Sequence, residues 1–246
     1  MKRLAAFAFV VAAAGCAIPS RAEVRDEFHK TYPLTATGRV SVSNVNGPVR
    51  ITAWDRNEVK VDAVKRGRTE RALEDARIIV DARADSVEIR TQYPEHSRDA
   101  ASVEYTLSVP RHAALEGIGT VNGPVEIDGV IGGIRASSVN GNVAVRHGEG
   151  DADLHTTNGR VEADFARLGR AVSAKTVNGG IVLTLPRDAS ARLTAKTVHG
   201  GIHSDFALPV RRVGFGPGGD IVTVIGDGGA DVRLSTVNGA IDLRRQ

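Results

Sequence analysis

Chemistry in this 246-residue chain would have to rest on its seven histidines, its 29 acidic residues or its one cysteine. His199 and His203 stand four apart, but on a strand that spacing separates two side chains of one face by roughly 13 Å, too far to share a metal. His147 and His155 fall in neighbouring segments with no other ligands beside them. Glu149, Asp151 and Asp153 are the densest acids, and glycosidic hydrolysis needs two carboxyl groups held across a cleft. Interleaved with Gly148 and Gly150, they read instead as a solvated loop. Gly226-Asp227-Gly228-Gly229-Ala230-Asp231 is similar to calcium-binding Gly-Asp repeats but lacks their tandem nonapeptide, so it reads as a wide corner. No nucleophile elbow, phosphate loop or dinucleotide fingerprint occurs. The sequence assigns no catalytic residue, metal or cofactor, and an enzyme would need a catalytic groove assembled from different coils.

What must position any site is a repeat. Asn-Gly steps stand at Asn122-Gly123, Asn140-Gly141, Asn158-Gly159, Asn178-Gly179 and Asn238-Gly239, with His199-Gly200 as a variant and Asn46-Gly47 as an early outlier. From Asn122 onward the spacings are 18, 18, 20, 21 and 39. The last gap is close to two periods, and Gly218-Gly219 is expected to supply a degenerate corner inside it. Two residues before each step stands Thr120, Ser138, Thr156, Thr176, Thr197 or Thr236, and three after it Val125, Val143, Val161, Ile181, Ile202 or Ile241. Apolar or β-branched residues at every second place mark half-buried strands.

Gly at such a step accommodates positive φ, and Asn and His are among the few residues that tolerate it, so each pair is expected to be a left-handed tight corner. His199 is thereby a turn residue before it is a ligand. A meander of antiparallel hairpins also uses Asn-Gly, but gives no reason for Thr, Asn and Val to recur at fixed offsets. A β-solenoid with coils of about 18–21 residues does, because equivalent positions stack roughly 4.8 Å apart. The fold class is all-β.

Residues 23–115 form the less regular part, continuous with the repeats of 116–246. Residues 23–37 read as an exposed lead-in, and Thr69 caps a short helix of good helix formers ending at Ala76. Arg77–Arg83, Ser86–Thr91 and Ser102–Val109 read as longer strands covering the N-terminal edge of the solenoid. Trp54, the one tryptophan, ends a strand and serves as a core cap or as a sugar-stacking platform. The closing Arg244 and Arg245 are expected to blunt an edge strand and to keep the protein a monomer or small oligomer.

Met1-Lys2-Arg3 and the apolar run from Leu4 to Ala14 form a signal peptide of residues 1–22, too short to span a bilayer. Two cleavage sites compete, one after Ala22 and one before Cys16, where Ala13-Ala14-Gly15-Cys16 is lipobox-like and would give a lipid anchor. Removing 1–22 takes Lys2, Arg3 and Arg21 and no acid, leaving 29 basic against 29 acidic residues. A near-zero net charge with scattered Lys and Arg argues against a nucleic-acid partner.

Val45-Asn46-Gly47-Pro48-Val49 with Trp54-Asp55, followed by tandem Thr-Val-Asn-Gly copies, resembles the bacterial exported proteins of unknown function labelled putative adhesins. The resemblance implies a cell-envelope β-solenoid and brings no catalytic residues. The expectation is a non-enzymatic binding scaffold for an envelope protein or glycan, exported to the periplasm, the outer membrane as a lipoprotein, or the cell surface. The alternatives are a carbohydrate-active β-helix enzyme and a self-assembling envelope scaffold.

Overall fold

The computed structural model describes residues 23–94, 100–206, 211–212 and 218–246. The signal segment, with Cys16 and both cleavage sites, lies outside the described residues. Among the described residues no helix is long and apolar enough to cross a membrane.

The irregular part contains β1 (Val24–Pro33), β2 (Arg39–Ser43), β3 (Val49–Trp54), β4 (Glu58–Gly67), α1 (Glu70–Asp75), β5 (Arg77–Ala82), β6 (Ser86–Gln92) and β7 (Ser102–Pro110). Repeats follow as β8 (Ala114–Asn122), β9 (Val125–Asp128), β10 (Ile134–Asn140), β11 (Val143–Asn158), β12 (Val161–Asn178), β13 (Ile181–Leu185), β14 (Ala191–His199) and β15 (Ile202–Ser204). Then come β16 (Arg211–Arg212), β17 (Gly219–Ile225), β18 (Ala230–Asn238) and β19 (Ile241–Arg245). The helix starts where the Thr69 hydroxyl accepts a hydrogen bond from the Ala72 N–H at 3.2 Å, and it buries Ala72 and Leu73.

These strands stack as a β-solenoid with two long ladders joined at the corner steps, parallel through the repeats and antiparallel at β1–β4, β4–β7, β5–β6 and β14–β17. Before the corners the order is β5, β6, β2, β8, β10, the second half of β11, the second half of β12, β18, β14, β17 and the short β16. After the corners it is β1, β4, β7, β3, β9, the first half of β11, the first half of β12, β13, β19 and β15. Between the ladders lies an aliphatic core in which Tyr105 and Phe165 are the largest fully buried side chains. Alternation is strict in β14, where Ala191, Leu193, Ala195 and Thr197 point in and Arg192, Thr194, Lys196 and Val198 point out. Each Val, Leu or Ile buried in this way contributes about 1.5–3 kcal/mol.

Stacking order departs from chain order at both ends. The Asn238 coil pairs with the Asn178 coil on one side and with the His199 coil on the other. Likewise β2 and β3 of the Asn46 coil lie between β8 and β9 inside and β6 and β7 outside. The Asn46 step is therefore no outlier in space, since it stacks directly on Asn122.

Three sequence expectations are corrected. Gly218-Gly219 is not a corner of the stack, because Gly219–Ile225 runs antiparallel to β14 along the outside of its ladder. The glycine-rich turn that follows steps across the start of β14 beside Ser190, whose carbonyl accepts from the Ala230 N–H at 3.3 Å; Gly226 and Gly228 take φ of 58° and 75° there. Residues 23–37 are largely exposed, as expected, but they are more than a lead-in, because β1 pairs with β4 over ten residues. Finally, β19 is not an edge strand, lying between β13 and β15.

Candidate functional site

The most regular feature of the surface is the stack of corners, built from three hydrogen bonds per junction. Between the Asn158 and Asn178 coils, the Gly159 N–H donates to the Asn178 carbonyl at 3.0 Å, the Thr176 hydroxyl to the Gly159 carbonyl at 2.9 Å, and Asn178 Nδ2 to Asn158 Oδ1 at 2.8 Å. The same triplet joins Asn122 to Asn140, Asn140 to Asn158 and Asn178 to Asn238. It also joins Asn46 to Asn122, where Thr120 donates to Gly47 and Asn122 to Asn46. Thr156 is fully buried at this position, so its hydroxyl satisfies a carbonyl that solvent cannot reach.

Glycine is required at every corner by close approach, and at only three of them also by a positive φ. Gly47 has φ 120°, and Gly123 and Gly200 sit at 156° and 159°, while Gly141, Gly159, Gly179 and Gly239 lie outside the left-handed region. A Cβ on Gly159 or on Gly179 would stand 2.6 Å from the carbonyl carbon of the glycine in the coil below. No Asn of the steps has positive φ; among the described residues His147, at 49°, is the only non-glycine that does. The expected left-handed pairs are thus corrected at every Asn and at Gly141, Gly159, Gly179 and Gly239, while Gly47, Gly123 and Gly200 keep a positive φ; all seven glycines are packed too closely for a side chain.

The row of asparagines is closed by different residues at its two ends. Extending the pairing of β2 with β6 places Thr91 opposite Asn44 and Tyr93 opposite Asn46, so Thr91-Gln92-Tyr93 is a hidden copy of the corner sequence. Thr91 donates to Asn44 Oδ1 at 3.0 Å and meets the Tyr105 hydroxyl at 2.7 Å. Burial pushes the Tyr105 phenol up to about 12. The Thr-x-Tyr spacing was legible but carried no Asn-Gly to align on. At the other end His199 occupies the Asn position: Gly239 donates to its carbonyl at 2.9 Å and Thr197 to the Gly239 carbonyl at 2.8 Å, and among the described residues the third bond is missing.

Between each buried Thr and its Asn, an outward residue forms a second row. Val121, Val139, Val177, Val237 and Val198 are each 37–46% exposed, with Thr157 completing the line. Beside this apolar ridge, Glu116, Arg135, Asp153, Ser173 and Lys175 line a shallow groove of about 420 Å³. A β-branched apolar residue at a polar-face position was the signal available in the sequence.

The chemically suggestive residues are held in structural roles. Asp151 accepts from the backbone N–H groups of Arg170 and Ala171, at 2.5 and 3.1 Å. Burial raises its carboxyl, but those bonds and Arg170 outweigh burial and hold it below the ordinary carboxylate range. Glu149 pairs with Arg167 at 2.7 Å. His147 meets Asp128 at 2.8 Å, and that hydrogen bond raises its imidazole. His203 meets Asp242 at 3.2 Å, not His199. Trp54 donates to the Glu58 carbonyl, and the Arg56 guanidinium lies 5.0 Å over its ring, so one stacking face is taken.

Residues 117–244 match the family described as Toastrack DUF4097. A comparison with curated proteins gives no match. Among solved structures, the chain is similar to a putative cell adhesion protein from Clostridium sporogenes, at 12% identity over 92% of this chain and 100% of that one, with a TM-score of 0.54. A putative adhesin from Bacteroides fragilis aligns at 10% identity over 90% of this chain and 97% of that one, with a TM-score of 0.30. The first likeness shows a shared fold.

Proposed function

The chain belongs to the Toastrack DUF4097 family, and on that premise we propose that it is a non-enzymatic binding scaffold of the bacterial cell envelope. The observation that carries the reading is the outward valine row. Exposed valines in five coils, in a line fixed by the coil spacing, offer a straight contact strip, and a shallow groove of mixed polar and apolar lining opens on the same ladder. An apolar strip of this kind suits a protein partner or the apolar faces of a glycan chain. The name of the Clostridium sporogenes neighbour agrees with a contact function. Of the three clustered acids, Asp151 is engaged by backbone N–H groups and Glu149 by Arg167, leaving Asp153 in the groove without a second free carboxylate from that cluster, which favours binding over catalysis. Export through the segment 1–22, with or without attachment at Cys16, would deliver the protein to such partners.

The test compares immobilised wild type with Val139→Lys/Val177→Lys after exposure to an envelope extract. Both positions face solvent, so the double variant is expected to melt within about 0.5 kcal/mol of wild type. Envelope protein or glycan held by the wild type should be lost from the variant. Equal retention on both surfaces overturns the valine strip as the contact, and progressive shortening of a bound glycan would reveal an enzyme.

A further inference from the structure

Six of the seven corners are Asn-Gly steps, a dipeptide prone to spontaneous loss of the side-chain amide. The glycine nitrogen attacks Asn Cγ to form a new C–N bond, and the Cγ–Nδ2 bond breaks. Ammonia leaves, carrying the proton of the glycine N–H. Water then opens the succinimide at either carbonyl, giving aspartate or isoaspartate; water enters, ammonia departs, and no electrons change hands. For attack, the nitrogen must be released from its hydrogen bond and the carboxamide must swing over it into a near-attack geometry.

The stack blocks both requirements. All six glycine N–H groups donate to the next coil: Gly47 to Asn122, Gly123 to Asn140, Gly141 to Asn158, Gly159 to Asn178, Gly179 to Asn238 and Gly239 to His199, at 2.8–3.1 Å. Asn122, Asn140, Asn158 and Asn178 are each held at both ends of the carboxamide, Nδ2 donating and Oδ1 accepting. Asn46 accepts from Asn122 at its Oδ1, with Tyr93 opposite it in the extended register of β2 and β6. Asn238 differs. Its Nδ2 donates to Asn178 at 2.8 Å, but among the described residues nothing donates to its Oδ1, because His199 stands where the next asparagine would be.

We infer that Asn238 is a modification site, the step at which this protein deamidates first, and that the corner stack suppresses the same reaction at the other five. The product would break the row where it matters for the fold. An aspartate at 238 has no amide to donate and sets its carboxylate against Asn178 Oδ1, weakening the junction that holds the inserted last coil.

The experiment incubates folded wild type at mildly alkaline pH and maps each Asn-Gly peptide by mass spectrometry, with urea-unfolded protein as reference. In the folded protein, Asn122, Asn140, Asn158 and Asn178 should react more than about tenfold more slowly than in urea, since reaction must wait for local opening. Asn238 should lead them several-fold. His199→Asn supplies a donor to Asn238 Oδ1 and becomes the new end of the row, so the fastest site should move to position 199. Equal folded and unfolded rates at the interior steps, or an Asn238 no faster than Asn140 and Asn158, overturns the inference. That second comparison lies within one wild-type sample and does not depend on a variant folding.

Discussion

At the scale of the residue, each corner assigns a separate task to four neighbours: a buried hydroxyl, an outward β-branched side chain, a carboxamide that bonds its own kind, and a glycine that makes room. The reason for glycine decides what a substitution does. Were φ the cause, alanine would cost about 1 kcal/mol. Because the Gly179 Cβ would meet the Gly159 carbonyl, Gly179→Ala must push two coils apart, and about 2–3 kcal/mol is expected. His199→Asn should act the other way, adding the third bond missing from its junction for a gain of about 0.5–1 kcal/mol. Urea melts of the two variants check both: a mild Gly179→Ala would restore the left-handed explanation, and a destabilising His199→Asn would mean that His199 makes a bond of its own. The sequence showed which residues recur, but the close approach that makes glycine necessary belongs to the neighbouring coil.

At the scale of the element, β1 shows how an edge strand with little apolar burial is held. Its outward His29 meets Asp62 of β4 at 2.7 Å and Glu27 of its own strand at 3.1 Å, and these bonds raise the imidazole above its ordinary value. A histidine raised on folding adds stability that is fully present below the unfolded value, about 6.5, and is lost as pH climbs through the higher folded value. Glu27, bonded to His29, is lowered, so its contribution holds above its unfolded value and is lost in acid. Thermal melts should therefore decline from about pH 6 to 8, and His29→Gln should flatten part of that decline, His147 beside Asp128 retaining the rest. An unchanged slope in His29→Gln would show that the pairing does not hold β1 in place. Without strict alternation, Val24–Pro33 gave no strand signal, since only Val24, Phe28 and Tyr32 pack against the core.

At the scale of the whole molecule, the inserted last coil changes what the terminal arginines do. Arg245 stacks 4.6 Å over the Phe206 ring, and its N–H donates to Asp205 at 3.1 Å, inside the stack rather than on a bare end. Arg244→Val/Arg245→Val is therefore expected to lower stability by about 0.5–1 kcal/mol without promoting filaments. Sedimentation beside a urea melt tests this, and self-association at unchanged stability would return β19 to the role of an edge. Outside β14 the first ladder ends in β17, flanked only over Gly219 and Asp220 by the two-residue β16, and β17 carries Val222 and Val224 at 76% and 54% exposure.

The sequence by itself determined the solenoid, its period, its inward residues and the register, because each of these is written in side-chain type at a fixed offset and repeated in every coil. Asn46 to Asn238 align on the same step, and Thr120 to Thr236 on the same buried hydroxyl. What only the tertiary structure decided is which coil lies on which. Every coil presents its neighbours with nearly the same Thr, Asn and Gly, so those contacts fix register yet discriminate weakly between partners. The order is set instead by connections: an antiparallel β17 laid outside β14, a glycine turn stepping past Ser190, and β6 and β7 folded outside β2 and β3. These leave the Asn238 coil in the interior and His199 at the end of the asparagine row, a placement that no local pattern of residues contains.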